Sequence, residues 1–457
     1  FRLGDFYELF NEDAIIGSRE LNITLTARQK DSPNPIPMCG VPHHAAANYI
    51  SRLVKKGYRV AICEQTETPS KGVKLVKREV VRVITPGTAI DPQLVEPKES
   101  VYLAAICATG ETAAAAFLEL STGEFFAAEQ SGADAFLKIG ELVEAYAPRE
   151  ILYPESLKLS MEATFGRPSE RNLLDTQQNG DQHTAFGILT PRHDLQFDQR
   201  DNLNLLLKQF GVAEMTAFGI QERHEAIRAA GACLRYALET QRSAIEHVAE
   251  IAFIESNDFM VLDPVTLRNL EIVQSRSDNS RRTLFGVIDA TVTGMGSRLL
   301  RTWLLRPSIK RSEIQTRLAA VTELSDLILR DKVRFLLKEV SDLERLVGRL
   351  NLGTATARDL LSLHASLSRV PRLHESLADA NSLLLQVLSE NIFELPEIRD
   401  LIAAAIADEP PASINDGGTI KDGFNKELDE LRSVSSSAKQ TIAAFEEQER
   451  QRTGIGN

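Results

Sequence analysis

The hydropathy pattern of this chain changes period once, and that change limits the folds open to it. Up to about residue 220, strand-like and helix-like stretches alternate; from about Glu225 onward, long amphipathic stretches with apolar residues at helical spacing take over. A chain of 457 residues is also too long for one shared hydrophobic core, so two to four domains are expected. The fold class is therefore multidomain: α/β units followed by a mostly all-α part.

In the first segment, Leu21 to Thr26 reads as a strand and Ala45 to Lys56 as a helix with Ile50, Leu53 and Val54 in phase; Tyr58 to Cys63 and Val80 to Ile84 read as further strands. This predicts a small mixed-sheet α/β domain over residues 1–92. Thr85-Pro86-Gly87-Thr88, Pro92 and Pro97 then read as a linker. The second domain is placed at residues 98–220. Its strands Val101 to Cys107, Ala113 to Leu120 and Phe125 to Ala128 are separated by turn signals at Gly110 and Gly123, which makes a meander. A helix over Ala133 to Tyr146 and a strand at Glu150 to Pro154 follow.

The third part, residues 225–457, carries helical patterns at Ala226 to Val248, Pro264 to Ser275, Gly296 to Leu305, Ser312 to Leu329 and Ala357 to Leu367. Its last stretch, Asn425 to Arg452, has Leu428, Leu431, Ala438, Ile442 and Phe445 at helical spacing and no Gly or Pro, the pattern of a rod about 40 Å long. Thr293-Gly294-Met295-Gly296-Ser297 lacks the Lys-Ser/Thr of a phosphate loop and reads as a polar N-cap to the helix carrying Trp303.

Charge sets the first expected domain apart from the rest. Residues 1–90 hold 13 Lys/Arg against 9 Asp/Glu, leaving 39 against 55 in the remainder, so a mildly basic domain is joined to an acidic scaffold. The basic stretch Lys71, Lys74, Lys77, Arg78 and Arg82 is a candidate phosphate contact, with a solvated hairpin edge as the plainer alternative. No apolar run approaches the ~20 residues that span a bilayer, and the four scattered cysteines fit reduced thiols, so a cytoplasmic protein is expected. Cys39, His43, His44 and Cys63 lack the paired spacing of a zinc site, and no metal is expected. The dipeptide Gly-Lys is absent, so the chain has no Walker A loop and no ATP-binding residues are assigned in it. The first residue is not Met and the last residues carry no terminus signal, which suggests a piece of a longer protein.

The sharpest local feature is Gly4-Asp5-Phe6-Tyr7-Glu8-Leu9-Phe10. On a strand, period 2 puts Phe6 and Glu8 on one face and Tyr7 on the other. A flat ring beside an acceptor suits a wedge: Phe enters a base step from the minor groove, at an unstacking cost of about a few kcal/mol, while the carboxylate meets a displaced base edge. A mispaired step resists such insertion less than a paired one, so deformability becomes specificity. The plainer alternative is a strand with Phe6 in the core and Glu8 solvated.

This heptapeptide resembles the Phe-x-Glu element of the bacterial mismatch-recognition family MutS. Pro35 to Ala45, Val60 to Gln65 and Val81 to Thr88 resemble that family's mismatch-binding domain, and Leu267 to Ile272 and Thr291 to Leu304 its helical core, in the right order over essentially the whole chain. The resemblance implies a mismatch-binding domain, a connector of ribonuclease H-like fold and a helical core ending in a long lever helix, with clamp and ATPase domains lying beyond this chain. It implies that Phe6 stacks on the mispaired base and Glu8 hydrogen-bonds it. An ionised Glu8 accepts from thymine N3–H, but needs a proton to bond a purine N7. Arg28 and Met38 lie in segments resembling the family's DNA-facing loops. The resemblance further implies double-stranded DNA with mispairs or small loops as ligand, a homodimer, a MutL partner, and ATP with Mg²⁺ for the longer parent protein only. A metal-dependent repair nuclease and a helical scaffold without DNA binding are the rival readings, separable by metal-dependent cleavage and by the salt dependence of DNA affinity.

Overall fold

The computed structural model describes residues 1–29, 33–67, 76–166, 183–184, 187–255, 258–275, 282–411 and 414–453. The strands are β1 (Arg2–Leu3), β2 (Phe6–Phe10), β3 (Thr26–Arg28), β4 (Ile36–Pro42), β5 (Val60–Gln65), β6 (Arg78–Ile84), β7 (Leu103–Thr109), β8 (Thr112–Glu119), β9 (Glu124–Ser131), β10 (Glu150–Pro154), β11 (His183–Thr184), β12 (Gly187–Arg192) and β13 (Ala252–Phe253). The helices are α1 (Asn11–Leu21), α2 (Ala46–Lys55), α3 (Ala135–Tyr146), α4 (Lys158–Phe165), α5 (Gln199–Phe210), α6 (His224–Gln241), α7 (Pro264–Asn269), α8 (Leu284–Ile288), α9 (Gly294–Leu305), α10 (Arg311–Glu323), α11 (Leu327–Leu337), α12 (Leu343–Asn351), α13 (Ala357–Leu367), α14 (Val370–Leu377), α15 (Leu383–Glu390), α16 (Pro396–Ala405) and α17 (Lys426–Thr453). None of the described helices is long and apolar enough to cross a membrane. Mixed α/β architecture thus gives way to helices, as the change of period implies. Compactness divides the chain into two units. One holds Phe1–Ser325, Asp342–Thr354 and Ser382–Leu384; the other holds Asp326–Ser341, Ala355–Asn381 and the chain from Leu385 onward.

The larger unit begins with a small sheet of order β1-β2-β4-β3 and a separate hairpin of β5 with β6. One face of the small sheet is covered by α1 and α2, through Tyr7, Leu21, Val41, Ala46 and Leu53. The strand expected at Leu21 to Thr26 begins later, because α1 runs to Leu21 and Asn22 closes it in the left-handed conformation. Asn tolerates that conformation better than a bulky residue does, so the chain reverses before β3.

A seven-stranded sheet follows, ordered β11-β12-β10-β7-β8-β9-β13, with β7, β8 and β9 antiparallel and β10 parallel to both β7 and β12. Ala114 and Ala116 of β8 are buried beneath α6, whose own Ala226, Ala229, Ala230 and Ala237 are buried too. Small residues on both partners let the helix lie close to the strands. Helix α3 and Met161 and Phe165 of α4 cover the opposite face, over Phe117, Phe126 and Ile151. Sheets covered on both faces read as near-continuous apolar runs, which is how β7 and β8 read. Because α6 packs on this sheet and β13 extends its edge, the sheet-bearing part continues past the limit at residue 220 read from the sequence. The helix itself stops at Gln241, where Arg242 turns left-handed, and not at Val248.

The segment read as a linker is part of the core. Thr85, Thr88, Ala89 and Ile90 are all buried, and the carboxylate of Glu150 on β10 accepts from Thr85 Oγ1 at 2.5 Å and from Gly87 N at 3.2 Å. A Cβ on Gly87 would lie 2.7 Å from Glu150 Cβ, so this approach needs glycine. Pro and Gly signal irregular backbone, and irregular backbone is buried once side chains satisfy its polar groups.

Two other helical stretches are shorter than their periodicity implies. Residues 312–329 form two helices, because Asp326 caps a new one by accepting from the backbone N–H groups of Ile328 and Leu329. The stretch from Pro264 is helical only to Asn269, and Glu271 has φ 48°. The N-cap at Thr293 is present: its hydroxyl accepts from Gly296 N at 3.1 Å at the start of α9.

After α8, Asp289 carries an acid-sensitive contribution to stability. Burial pushes its carboxyl up, but bonds from Lys98 Nζ at 2.7 Å, the Thr291 hydroxyl at 2.5 Å and Ser297 Oγ at 2.9 Å outweigh it and hold the group down at about 2. A depressed carboxyl stabilises above its unfolded value and loses that contribution as pH falls through the folded one. Unfolding free energy from denaturant titration should therefore drop by about 2 kcal/mol between pH 5 and pH 2 on account of this group. Asp289→Asn should flatten that part of the profile; superimposable profiles would show that the carboxylate contributes nothing.

In the smaller unit, α13 packs against α16 and α11 against α14. A capping box of Thr356 and Asp359 starts α13, and a bridge between Ile406 and Ile420 closes the segment preceding α17. At 28 residues, α17 spans about 42 Å; its Leu431, Val434, Ile442 and Phe445 are exposed.

Candidate nucleic-acid interface

The Gly4-Asp5 pair makes a two-residue hairpin loop, since Leu3 pairs with Phe6 and Arg2 with Tyr7. Gly4 has φ 61°, which a residue with a side chain adopts only at a cost. The turn sets the register of β2, and β2 pairs with β4 as Phe6↔Pro42, Glu8↔Gly40 and Phe10↔Met38. On the other side of β4, Met38 pairs with Thr26 and Ile36 with Arg28. Partners across antiparallel strands share a face, so Phe6, Glu8, Met38 and Arg28 lie on one side of the sheet.

That side is the open one, away from α1 and α2. Phe6 is 48% exposed, an apolar ring at the hairpin end that burial in the core leaves behind. No hydrogen bond or ion pair among the described residues engages the Glu8 carboxylate, and its backbone N–H donates to Phe1 O at 2.9 Å. Gly40 lies between the two side chains: a Cβ there would be 3.5 Å from Glu8 Cγ and 3.8 Å from Phe6 Cδ1. Lacking one, β4 leaves clear space beside the ring and the acceptor. Arg28 is exposed at the far strand, and Met38 is partly covered.

The closed face holds β2 in place. Tyr7, between Phe6 and Glu8 in sequence, donates its hydroxyl to Glu64 on β5 and lies 5.3 Å, ring to ring, from His43. Arg2 reaches the same carboxylate at 3.4 Å. Burial first, and then the Glu64 charge, raises the Tyr7 hydroxyl far above the ordinary tyrosine value, so it stays a donor. Hydropathy pattern reveals nothing of this lock, since Glu64 is 57 positions from Tyr7.

The basic stretch separates into different roles. Arg78 donates to the Arg2 and Val76 carbonyl oxygens at 3.3 Å, and Arg82 pairs with Asp91 at 3.0 Å, so both are turned to partners in their own domain. Lys77 is exposed, 2.7 Å from Glu79. Lys71 and Lys74 lie outside the described residues. Cys39 donates to Ala14 O at 3.4 Å, and both it and Cys63 are buried.

Comparison with known families is consistent with this geometry. The family model described as MutS domain I matches residues 1–93, MutS domain II residues 101–249 and MutS domain III residues 265–452. The DNA mismatch repair protein MutS of Solibacter usitatus is 44% identical over 464 residues, covering 100% of this chain and 51% of that protein. Those of Symbiobacterium thermophilum and Methanosarcina acetivorans are 43% and 41% identical, again over 100% of this chain and 51% of each protein. The chain spans about half the length of the curated relatives it matches. With three domain models of one family matched in order along nearly its full length, the chain belongs to the MutS family and carries its domains I, II and III.

Proposed function

We propose that this chain is the DNA-reading part of a mismatch repair protein, and that Phe6 and Glu8 are its reading residues. The observation that carries the proposal is the open sheet face: a half-exposed ring at a hairpin end beside a carboxylate that no hydrogen bond or ion pair among the described residues engages. Phe6 wedges into the minor groove at the mispaired step and Glu8 meets the displaced base edge. Arg28 and Met38, on the same face, flank the wedge, and Lys77 with Lys71 and Lys74 adds sequence-independent phosphate attraction. The strand order β9-β8-β7-β10-β12 supports reading the middle part as a connector of ribonuclease H-like topology, although fold alone assigns it no chemistry. The helices from α7 onward form the core, with α17 as its lever. In the longer parent, this part works as a homodimer, hands its signal to MutL, and is driven by ATP and Mg²⁺ bound outside this chain.

The test is duplex binding at fixed salt, G·T mismatch against perfect pairing, with the longer parent protein and its Phe6→Ala variant. Loss of the stacking ring should cost roughly 1–3 kcal/mol on the mismatch and leave the paired duplex nearly unaffected. Undiminished discrimination would make Phe6 a structural residue. Repeating the titration across salt concentrations places Arg28: Arg28→Ala should weaken both duplexes alike and lower the salt slope by about 1.

A further inference from the structure

A cavity of about 160 Å³ opens where the segment before β7, the end of α3 and the middle of α9 meet. It is roughly ten times the ~15 Å³ that holds one water. Glu99, Tyr102, Tyr146, Arg149, Arg301 and Thr302 are among its lining residues.

Its charges do not balance. Arg149 is paired with Glu99 at 3.2 Å, so those two offset each other. Arg301 is partly buried, with its guanidinium carbon 5.9 Å from the Phe285 ring centroid, and no hydrogen bond or ion pair among the described residues engages it. Burial pulls this guanidinium below the ordinary arginine value, and the Glu99 carboxylate, which Arg149 also pairs with, opposes that pull without cancelling it. Tyr146 is 6% exposed, and its hydroxyl has no hydrogen-bond partner among the described residues. Its ring is packed by Tyr102, Phe117 and Phe126 at centroid distances of 5.6, 5.1 and 4.8 Å, which leave it little freedom to turn toward water. Tyr102, by contrast, has its hydroxyl satisfied by Glu124 at 2.7 Å.

Two arginines sharing one carboxylate and an orphaned buried donor around one small polar cavity call for the same thing, an anion with hydrogen-bond acceptors. We propose that this cavity is a binding site for a small oxyanion of the phosphate type, held by Arg301 and Arg149 and accepting a hydrogen bond from Tyr146. Arginine presents several N–H donors in a plane and suits such an anion better than a point charge does. Because the lining comes from the segment leading into β7, from the end of α3 and from α9, an occupied site would tie α9 to α3 and to that segment, whatever the face carrying Phe6 binds.

The experiment is thermal unfolding of the full chain in sodium phosphate against sodium chloride at matched ionic strength, for wild type, Arg301→Met and Tyr146→Phe. Phosphate at a few times its dissociation constant should raise the wild-type Tm by about 1–2 °C and then saturate. Arg301→Met should melt no lower than wild type in chloride, having lost an unpaired buried charge, and should show no saturable phosphate response. Tyr146→Phe should fold normally and need several-fold more phosphate for half the response. A general salt effect raises all three chains in parallel without saturation. That outcome, or a wild-type Tm indifferent to phosphate, overturns the site.

Discussion

Replacing Glu150 by Ala should destabilise the larger unit by about 3–5 kcal/mol, the range seen when one partner is removed from a buried charged network. Glu150 is 0% exposed. One carboxylate oxygen accepts from Thr190 Oγ1 at 2.9 Å and Tyr236 OH at 2.7 Å, with Arg59 Nε at 3.4 Å; the other accepts from Thr85 Oγ1 at 2.5 Å and Gly87 N at 3.2 Å. Burial first, and then the Glu150 charge, holds the Tyr236 hydroxyl far above the ordinary tyrosine value, which keeps it donating. The Ala variant leaves all these donors in a dry site with no acceptor. Glu150→Gln keeps the size but turns an NH₂ donor toward donors, and should lose about 1 kcal/mol for each bond it breaks. Because Arg59, Thr85 and Gly87 come from the first segment and Glu150 and Tyr236 from the seven-stranded sheet and α6, the loss should also loosen the first segment from the sheet. Denaturant titration read by fluorescence and by hydrogen exchange in residues 84–90 measures both. An unchanged midpoint with unchanged exchange would mean that the network is decoration.

The second large effect is expected at Arg345. Its guanidinium meets Glu119 at 3.1 Å, with side chains 7% and 1% exposed, and donates to the Glu96 carbonyl oxygen at 2.9 Å and to that of Glu99. Arg298 continues the cluster with Asp342 at 2.6 Å and donates to the Pro97 carbonyl oxygen at 2.9 Å. Together the two arginines fasten residues 96–99 to α9 and α12. Arg345→Ala strands Glu119 as a buried charge and unsatisfies the linker carbonyls, again about 3–5 kcal/mol. The double variant Arg345→Leu with Glu119→Leu should recover much of the loss, because an apolar pair of similar volume avoids the desolvation that ion pairs bear. If the double variant is as unstable as the sum of the singles, the carbonyl contacts rather than the ion pair carry the stability.

Arg78 and Arg82 show that a basic stretch does not tell which of its guanidinium groups already has partners within the domain. Both sit in a run that reads as phosphate-facing, and both are spent on partners in their own domain, Arg2 O and Asp91. Nothing in a run of like charges tells which guanidinium folding will occupy. The linker reading of Thr85 to Thr88 fails for a related reason. Gly and Pro report that backbone is irregular, while burial of that backbone depends on a glutamate on a different strand. The limit at residue 220 does not register the packing of α6 on the sheet, because α6 is amphipathic like the later helices and a sheet partner leaves no mark on the helix's own period.

What the sequence alone determined is what neighbours a few positions apart decide: the meander of β7, β8 and β9 with its glycine turns, the cap at Thr293, the helical character after residue 225, and the placing of Phe6 and Glu8 on one face of a strand. Those follow from backbone sterics and side-chain periodicity, which act locally. Tertiary structure alone decided that this face is the open one, that Gly40 clears the space beside it, that Tyr7 locks the strand through Glu64, and that Glu150 and Arg345 sit at buried crossings. Arg345 and Glu119 are 226 positions apart. Their pairing is set by the desolvation cost of leaving either charge alone in the assembled core, a cost that exists only once the chain has folded.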